Sequence, residues 1–139
     1  SRIAAACRRV ASSLETGAWG ERVAASHLSR RGLIHIKRNW HSGRLEADIV
    51  SVDGRTLIVT EVKTRHRTLE QNHPAMAAIT VDKRRRLERI GQSFLRNNGP
   101  LCRRFHIRTL RIDAVEVYYE RGPLGLRSPR RVVWHRGLS

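Results

Sequence analysis

The sequence predicts a single α/β domain with the element order α-β-β-β-α-β and a mixed central sheet flanked by helices. Two observations support this prediction. Residues 45–52 and 56–63 are apolar, β-branched runs on either side of Asp53-Gly54, a dipeptide typical of a tight hairpin turn. Segments with helical periodicity precede and follow this hairpin, and the second leads into another strand-like run.

The predicted elements can be placed in order along the chain. They are a helix at 17–31, strands at 33–38, 45–52 and 56–63, a helix within 74–97, a strand at 107–119 and a possible edge strand at 131–135. Gly32 is the expected stop of the first helix, and the second is expected to begin near Thr80 or Asp82. On the second helix, Leu87 and Phe94 belong to the expected apolar face.

The chain length and composition are those of one domain with an aliphatic core. The chain has 139 residues, of which 40 % are hydrophobic and only 5 % aromatic. Because no apolar run approaches the length of a membrane-spanning helix, we expect a soluble protein. Cys7 and Cys102 lack CxxC spacing, and we expect reduced thiols without a zinc site or a disulfide framework.

Two basic ends flank the predicted domain, which covers residues 15–120. Residues 1–14 form a basic N-terminal extension that contains Arg, Ala and Ser but no acid. This composition resembles an organellar transit segment, and the alternative is a basic arm or leading helix. Residues 121–139 form a basic C-terminal tail that includes the possible edge strand.

The charge balance predicts a polyanionic partner. Lys and Arg number 28 against 12 Asp and Glu, which gives a formal net charge of +16 and a pI of about 11.7. Nucleic acid is the commonest partner of such proteins. A membrane surface is disfavoured, because the sequence shows no long Lys/Arg helix with a Trp/Phe/Leu face. The remaining alternative is charge that serves solubility alone.

Four of the twelve acids lie in the short hairpin stretch 45–65. Because strand side chains alternate between two faces, the hairpin places Glu46, Asp48, Glu61 and Lys63 on one face. With the predicted two-residue turn, Glu46 lies opposite Glu61. A register shifted by two residues would instead place Asp48 opposite Glu61. In either register, the hairpin brings like charges together.

Clustered carboxylates on a partly apolar strand face have two interpretations. Like charges that face each other across strands destabilise a sheet, and their burial requires compensation. A hard cation, Mg²⁺ or Mn²⁺, bound by Asp48, Glu61 and Glu46 would provide it. The alternative is a salt-bridge network in which Lys63 and Arg44 neutralise the acids on a solvated face.

A metal held by these acids predicts phosphodiester hydrolysis. A divalent ion neutralises the scissile phosphate and lowers the pKa of the attacking water. Lys63, two residues after Glu61, would orient that water or stabilise the developing charge. The basic residues expected to hold the polyanion are Arg44, Arg65, Arg67, Lys83, Arg84 and Arg85.

Asp48, followed about a dozen residues later by Glu61-Val62-Lys63, resembles the PD-(D/E)XK nuclease motif. The chain is also similar to the UPF0102 (YraN-like) family, whose fold resembles archaeal Holliday-junction resolvases. The matching blocks are TGAWGERVAASHLSRRGLIHIKRNW (16–40), LEADIVSVDG (45–54), LIVTEVKTR (57–65), TVDKRRRLERIGQSFL (80–95) and RIDAVEV (111–117). This resemblance implies a restriction-endonuclease-like core, so the predicted domain is nuclease-like.

The resemblance also implies which residues build the site. These are Glu21 on the first helix, Asp48, Glu61 and Lys63, with Glu46 matching the Glu of the family's GEID stretch and Lys83 the helix lysine. The family has Gly where this chain has Leu45, which places a side chain where backbone could approach a ligand. From the sequence itself, Glu21 is either a third metal ligand or an acid that complements the dipole in a first helical turn.

Two functions follow from these observations. The first is a Mg²⁺- or Mn²⁺-dependent endonuclease of the bacterial cytoplasm, a candidate homodimer that acts on DNA, with branched or flapped DNA among its candidate substrates. The second is a non-catalytic RNA- or DNA-binding subunit of a ribonucleoprotein built on a nuclease-like fold. An organellar ribosome in the mitochondrial or another organellar matrix is one such assembly, and RNA is its expected partner.

Overall fold

The computed structural model describes residues 1–69 and 80–138, and for residues 8–12 it describes the backbone only. The elements in chain order are α1 (Arg2–Arg30), β1 (Ile34–Ser42), β2 (Leu45–Asp53), β3 (Thr56–His66), a 3₁₀ turn (Arg67–Leu69), α2 (Val81–Asn97), α3 (Gly99–Arg104), β4 (Thr109–Arg121) and β5 (Arg127–His135). No helix in these ranges is long and apolar enough to cross a membrane.

The five strands form one mixed sheet in the order β1-β2-β3-β4-β5. Neighbouring strands are antiparallel except β3 and β4, which are parallel. A parallel pair needs a crossover connection, and the segment between β3 and β4 contains α2. The predicted α/β class with a mixed sheet flanked by helices is therefore confirmed.

One helix packs on each face of the sheet. Leu87, Ile90 and Phe94 of α2 join a buried cluster with side chains of β2 and β3, such as Val50 and Val59. This confirms the predicted apolar face of the second helix. Trp40 contacts Phe94 edge-on at 5.1 Å between ring centroids, at the margin of this cluster.

The other buried cluster lies under α1. Ala24, Ala25 and Leu28 of α1 pack against strand residues such as Ile49 and Val115. The core is therefore mostly aliphatic on both faces, as the composition predicts. Each helix covers one apolar layer, so the sheet lies between the two clusters.

The first helix is longer than predicted, and this changes the place of Glu21. It begins at Arg2, so residues 1–14 lead directly into the predicted helix and Glu21 lies well inside α1 rather than in its first turn. Gly17 and Gly20 suggest a helix start in the sequence. At Gly20, however, a Cβ would collide with the side chain of Thr64, so the glycine allows α1 to approach β3 closely. Dipole complementarity therefore does not explain Glu21.

The hairpin forms in the shifted register. Asp53 pairs with Thr56 and Ile49 with Thr60, so the two loop residues are Gly54 and Arg55 rather than Asp53-Gly54. Gly54 has a φ of +60°, and glycine at the first loop position is typical of a type II′ turn. The expected pairing of Glu46 with Glu61 is wrong, and continuing the observed register places Asp48 beside Glu61.

Two features near the C-terminal end of the described chain also differ from expectation. Asn97 ends α2 as predicted, but the short helix α3 follows at once, with a proline in its first turn. An acid close to an arginine in a strand, such as Asp113 beside Arg111, is usually found in an exposed ion pair. Asp113 does pair with Arg111 at 2.8 Å, but it is fully buried, because β5 covers that edge of β4 and Trp134 donates its Nε1–H to the carboxylate at 2.9 Å.

Candidate metal and phosphate site

An open cleft of about 750 Å³ lies between α1 and the strands β2, β3 and β4. It contains four of the residues that the sequence singles out: Glu21, Asp48, Glu61 and Lys63. The complete lining consists of Ser13, Thr16, Gly17, Glu21, Asp48, Glu61, Val62, Lys63, Thr64, Tyr119 and Arg121. Tertiary structure thus brings together acids that are up to 40 positions apart in the chain.

Asp48 lies where the regular alternation of β2 is interrupted. Ala47 belongs to the buried cluster under α2 and Ile49 to the cluster under α1, although residues two apart in a regular strand share a face. Asn39 of β1, between the partners of these two residues, has a φ of +49°. Strict alternation along β2, which would put Asp48 on the same face as Val50, therefore fails at this point.

The carboxylate of Asp48 is held against the neighbouring strand. Its Oδ2 accepts a hydrogen bond from the backbone N–H of Val62 at 2.8 Å. Burial raises the pKa of Asp48 from 3.8 to about 6; the hydrogen bond opposes this, and the charges of Glu21, Glu61 and Glu46 add to it. A carboxylate whose pKa is raised by desolvation and by like charges gains from a nearby cation.

Glu61 has one neutralised oxygen and one without a partner. Its Oε1 lies 3.1 Å from Nζ of Lys83 on α2. Its Oε2 is buried and has no hydrogen-bond partner among the described residues. Buried carboxylate oxygens are normally satisfied, so an orphaned one next to Asp48 calls for a ligand that the protein itself does not supply.

The two other predicted acids differ in their surroundings. Glu21 lines the cleft, and its nearest cation is Nη2 of Arg38 on β1, at 3.8 Å. Burial raises the pKa of Glu21, while Arg38 and Asn39 lower it. Glu46 is exposed, lies outside the cleft lining and is 3.7 Å from Nε2 of His41.

The carboxylates of the cleft could supply part of the coordination shell of a metal ion, but not all of it. Within residues 1–69 and 80–138, no three His, Cys, Asp or Glu side chains lie close enough together to hold a metal by themselves. Mg²⁺, however, is usually bound by one or two carboxylates, with waters and substrate phosphates completing its shell. Asp48 and Glu61, with the orphaned Oε2, match that requirement for Mg²⁺ or Mn²⁺.

Most basic residues predicted to hold a polyanion are engaged with acids. Arg65 points into the interior, with Nη1 3.6 Å from the buried Glu116. The other pairs are Arg67 with Glu120 at 3.3 Å, Lys83 with Glu61 and Arg84 with Glu88 at 3.6 Å. Arg44 and Arg85 are exposed, in the β1–β2 turn and on α2 respectively. The six residues therefore do not form one surface around the cleft.

Several residues of the site have no local signal in the sequence. Arg38 partners Glu21, and Tyr119 and Arg121 line the cleft, yet none of the three belongs to a recognisable motif. They reach the site because β1 pairs with β2 and β4 pairs with β3. Gly20 is the one signal in the sequence, since a glycine inside a helix often marks a place where another element packs closely against the helix.

The comparisons with known proteins agree on one family. Residues 20–117 match the model described as "Uncharacterised protein family UPF0102". A UPF0102 protein of Renibacterium salmoninarum is 39% identical over 109 residues, which cover 78% of this chain and 86% of the relative. One of Rhodococcus jostii is 36% identical over 114 residues, covering 82% and 91%. One of Streptomyces coelicolor is 45% identical over 84 residues, covering 60% and 63%.

Proposed function

The chain belongs to the UPF0102 family, and we propose that its cleft carries out divalent-metal-dependent hydrolysis of phosphodiester bonds in nucleic acid. One observation carries this proposal. The buried Oε2 of Glu61 has no hydrogen-bond partner among the described residues, and it lies beside a second carboxylate, Asp48, whose pKa is raised by burial. This arrangement is costly for the fold unless a cation binds there.

Each of these residues of the cleft would have a separate role in the proposed reaction. Asp48 and Glu61 would hold the ion, which when bound neutralises the scissile phosphate and acidifies the attacking water. Lys83, 3.1 Å from Oε1 of Glu61, neutralises that oxygen and leaves Oε2 as the one that would face the ion. Lys63 is exposed and lines the same cleft, where its ammonium group would face the phosphate and stabilise the charge that develops on it.

The substrate class follows from the charge of the whole chain. A formal net charge of +16 favours a long polyanion over a small phosphate ester. We take DNA as the substrate, with branched and flapped forms included, and the bacterial cytoplasm as the location. The UPF0102 relatives compared above come from bacteria, which is compatible with that location.

A second candidate function is a nucleic-acid-binding module that does not cut. The ion pair between Lys83 and Glu61 favours it, because a lysine at 3.1 Å neutralises one acid without any metal. This candidate predicts binding of RNA or DNA that is unaffected by EDTA. The metal-dependent hydrolase instead predicts that the chemistry, though not all of the binding, is lost on chelation.

The test is a cleavage screen with a matched acid control. Labelled branched, flapped, duplex and single-stranded DNA and RNA are incubated with the full chain in Mg²⁺ or Mn²⁺, and with Asp48→Asn, Glu61→Gln and Asp53→Asn. Asp53 belongs to the same hairpin but pairs with Arg136 outside the cleft. We expect cleavage by the wild type and by Asp53→Asn only. If the wild type cuts no substrate with either metal, hydrolysis is excluded in favour of the binding module.

A further inference from the structure

The outward face of α2 carries a stripe of long polar side chains. Arg85, Arg89, Gln92 and Arg96 follow at spacings of four, three and four residues, so they lie along one side of a helix with 3.6 residues per turn. All four are exposed. The stripe faces away from the sheet, because the buried face of α2 is the opposite one. We call these four residues the α2 stripe.

The positive charge of the α2 stripe is not compensated by neighbouring acids. Glu88, the only acid of α2 beside the stripe, is paired with Arg84 at 3.6 Å. In the described part of the chain, no carboxylate forms an ion pair with any of the three stripe arginines. Other exposed arginines, such as Arg22 and Arg31, are also outside any ion pair among the described residues, so what distinguishes the stripe is its regular spacing along one side of a helix.

Two clefts flank the α2 stripe and widen it into a binding surface. One, of about 800 Å³, lies between the stripe and the start of β4. The other, of about 360 Å³, lies between the stripe and the β1–β2 turn. Arg89 and Gln92 line both clefts. The stripe is therefore a ridge of cations and one amide between two grooves rather than a flat surface.

We propose that the α2 stripe binds the phosphate backbone of double-stranded nucleic acid, as a second contact surface besides the metal cleft. At 1.5 Å per residue, Arg85 and Arg96 are about 16 Å apart along the helix axis. A duplex carries one charge per ~1.7 Å of its axis, so the stripe spans about five base pairs of phosphates. Guanidinium groups suit this partner, because they bind phosphate oxygens through two parallel hydrogen bonds.

The side chains around the stripe disfavour two other polyanionic partners. None of the described residues that line the two clefts is aromatic, so no platform is offered on which the bases of a single strand could stack. An interfacial helix would need to insert apolar side chains into a membrane. The apolar side chains of the stripe's own turns, Leu87, Ile90 and Phe94, are buried in the core. Backbone contact with a duplex needs neither feature.

The α2 stripe is separate from the metal cleft. None of the four stripe residues lines the cleft, whose helical lining comes from α1, although Lys83 at the start of α2 reaches Glu61. Binding at the stripe therefore requires no metal and no hydrolysis. It would hold a duplex without reading its sequence, since phosphate contacts position a protein but carry no base information.

The test measures duplex affinity of the full chain in EDTA as a function of salt, by fluorescence anisotropy on a labelled 20–30 base-pair DNA. The stripe variant is Arg85→Gln/Arg89→Gln/Arg96→Gln. If each arginine neutralises one phosphate, the slope of log K against log salt should fall in magnitude by about 2–3, and the affinity near 0.1 M salt by more than about tenfold.

A matched variant controls for total charge. Arg22→Gln/Arg30→Gln/Arg31→Gln removes three exposed arginines from α1 and its C-cap and lowers the formal net charge of +16 by the same three charges. Circular dichroism should show the same helix content in both variants, because every changed side chain is exposed. We expect the control to keep most of the wild-type affinity and salt dependence.

Each other outcome overturns the proposal in a recognisable way. Equal losses in the two variants would mean that total charge, not the stripe, determines binding. Wild-type binding to single strands or to phosphatidylserine vesicles without binding to duplex would identify another partner. The proposed hydrolysis is judged separately, because Asp48→Asn should bind duplex in EDTA as the wild type does, and the stripe variant should still bind Mn²⁺ in calorimetry.

Discussion

Replacing Asp48 by asparagine is expected to stabilise the protein at and above neutral pH, although Asp48 lies in the candidate site. Asparagine has nearly the same shape, and its side-chain oxygen can still accept the hydrogen bond from the N–H of Val62. The substitution removes a negative charge that is mostly shielded from water and lies near Glu21 and Glu61. Such a charge destabilises the folded state once the group is ionised.

The magnitude follows from the pKa of Asp48, which burial raises from 3.8 to about 6. The folded state holds the proton of Asp48 more tightly than the unfolded state does, so protonation of Asp48 stabilises the folded state. This contribution to the free energy of unfolding is fully present below pH 3.8 and is lost as the pH rises through about 6. The full pKa difference between the folded and unfolded states corresponds to about 3 kcal/mol of folding free energy. Because some solvent reaches the side chain, we expect Asp48→Asn to gain about 1–2 kcal/mol near pH 8.

The assay is urea denaturation followed by tryptophan fluorescence, in EDTA, at several pH values from about 5 to 8. The advantage of Asp48→Asn over the wild type should grow by about 1 kcal/mol across this range. Asp53→Asn is the control, because this acid lies in the same hairpin but is half exposed in a surface pair with Arg136. Its effect should stay small and vary little with pH. Saturating Mg²⁺, at 100 times its Kd, should stabilise the wild type by about 2.7 kcal/mol but not Asp48→Asn.

One result would refute this reasoning. If Asp48→Asn destabilised the protein by the same amount at every pH, the charge of Asp48 would be stabilising the fold. The acids of the hairpin would then belong to an ion-pair network with Lys63 and its basic neighbours, and no cation would be needed to compensate them.

Three further substitutions test the packing and the site. Gly20→Ala should destabilise the protein by about 1–3 kcal/mol in urea titrations, because the new Cβ would collide with β3. Gly17→Ala, with open space around the residue, should be neutral or stabilising by about 0.5–1 kcal/mol. Similar values for both variants would contradict the close approach of α1. Asp113→Ala should lower the free energy of unfolding by about 3–5 kcal/mol, since it leaves the partners of a fully buried carboxylate unpaired. A decrease of under 1 kcal/mol in thermal unfolding would argue against that network. Lys83→Met should tighten Mn²⁺ binding several-fold in calorimetry, because the ammonium group, 3.1 Å from Glu61, competes with the metal ion for that carboxylate. Weaker binding would show that the lysine instead supports the metal site.

Local patterns of the sequence determined the class of the fold and most of its elements. The hairpin around Gly54, the helix that begins after Thr80 and the strand predicted at 107–119 are all present, because turn chemistry, helix capping and periodicity act over a few residues. The spacing of Asp48, Glu61 and Lys63 also pointed to residues that do share one cleft. These features depend on neighbours in the chain, so the sequence displays them directly.

Several features of the site depend on contacts between residues that are far apart in the chain, so only the tertiary structure determines them. The register that puts Asp48 beside Glu61 depends on where the glycine sits in the turn, and the interrupted alternation at Asp48 depends on the backbone of β1. The place of Glu21 depends on the close packing of α1 against β3 at Gly20. The burial of Asp113 depends on β5. Periodicity predicts which faces are apolar, but desolvation, ion pairing and orphaned oxygens arise only when elements that are far apart in the chain pack together.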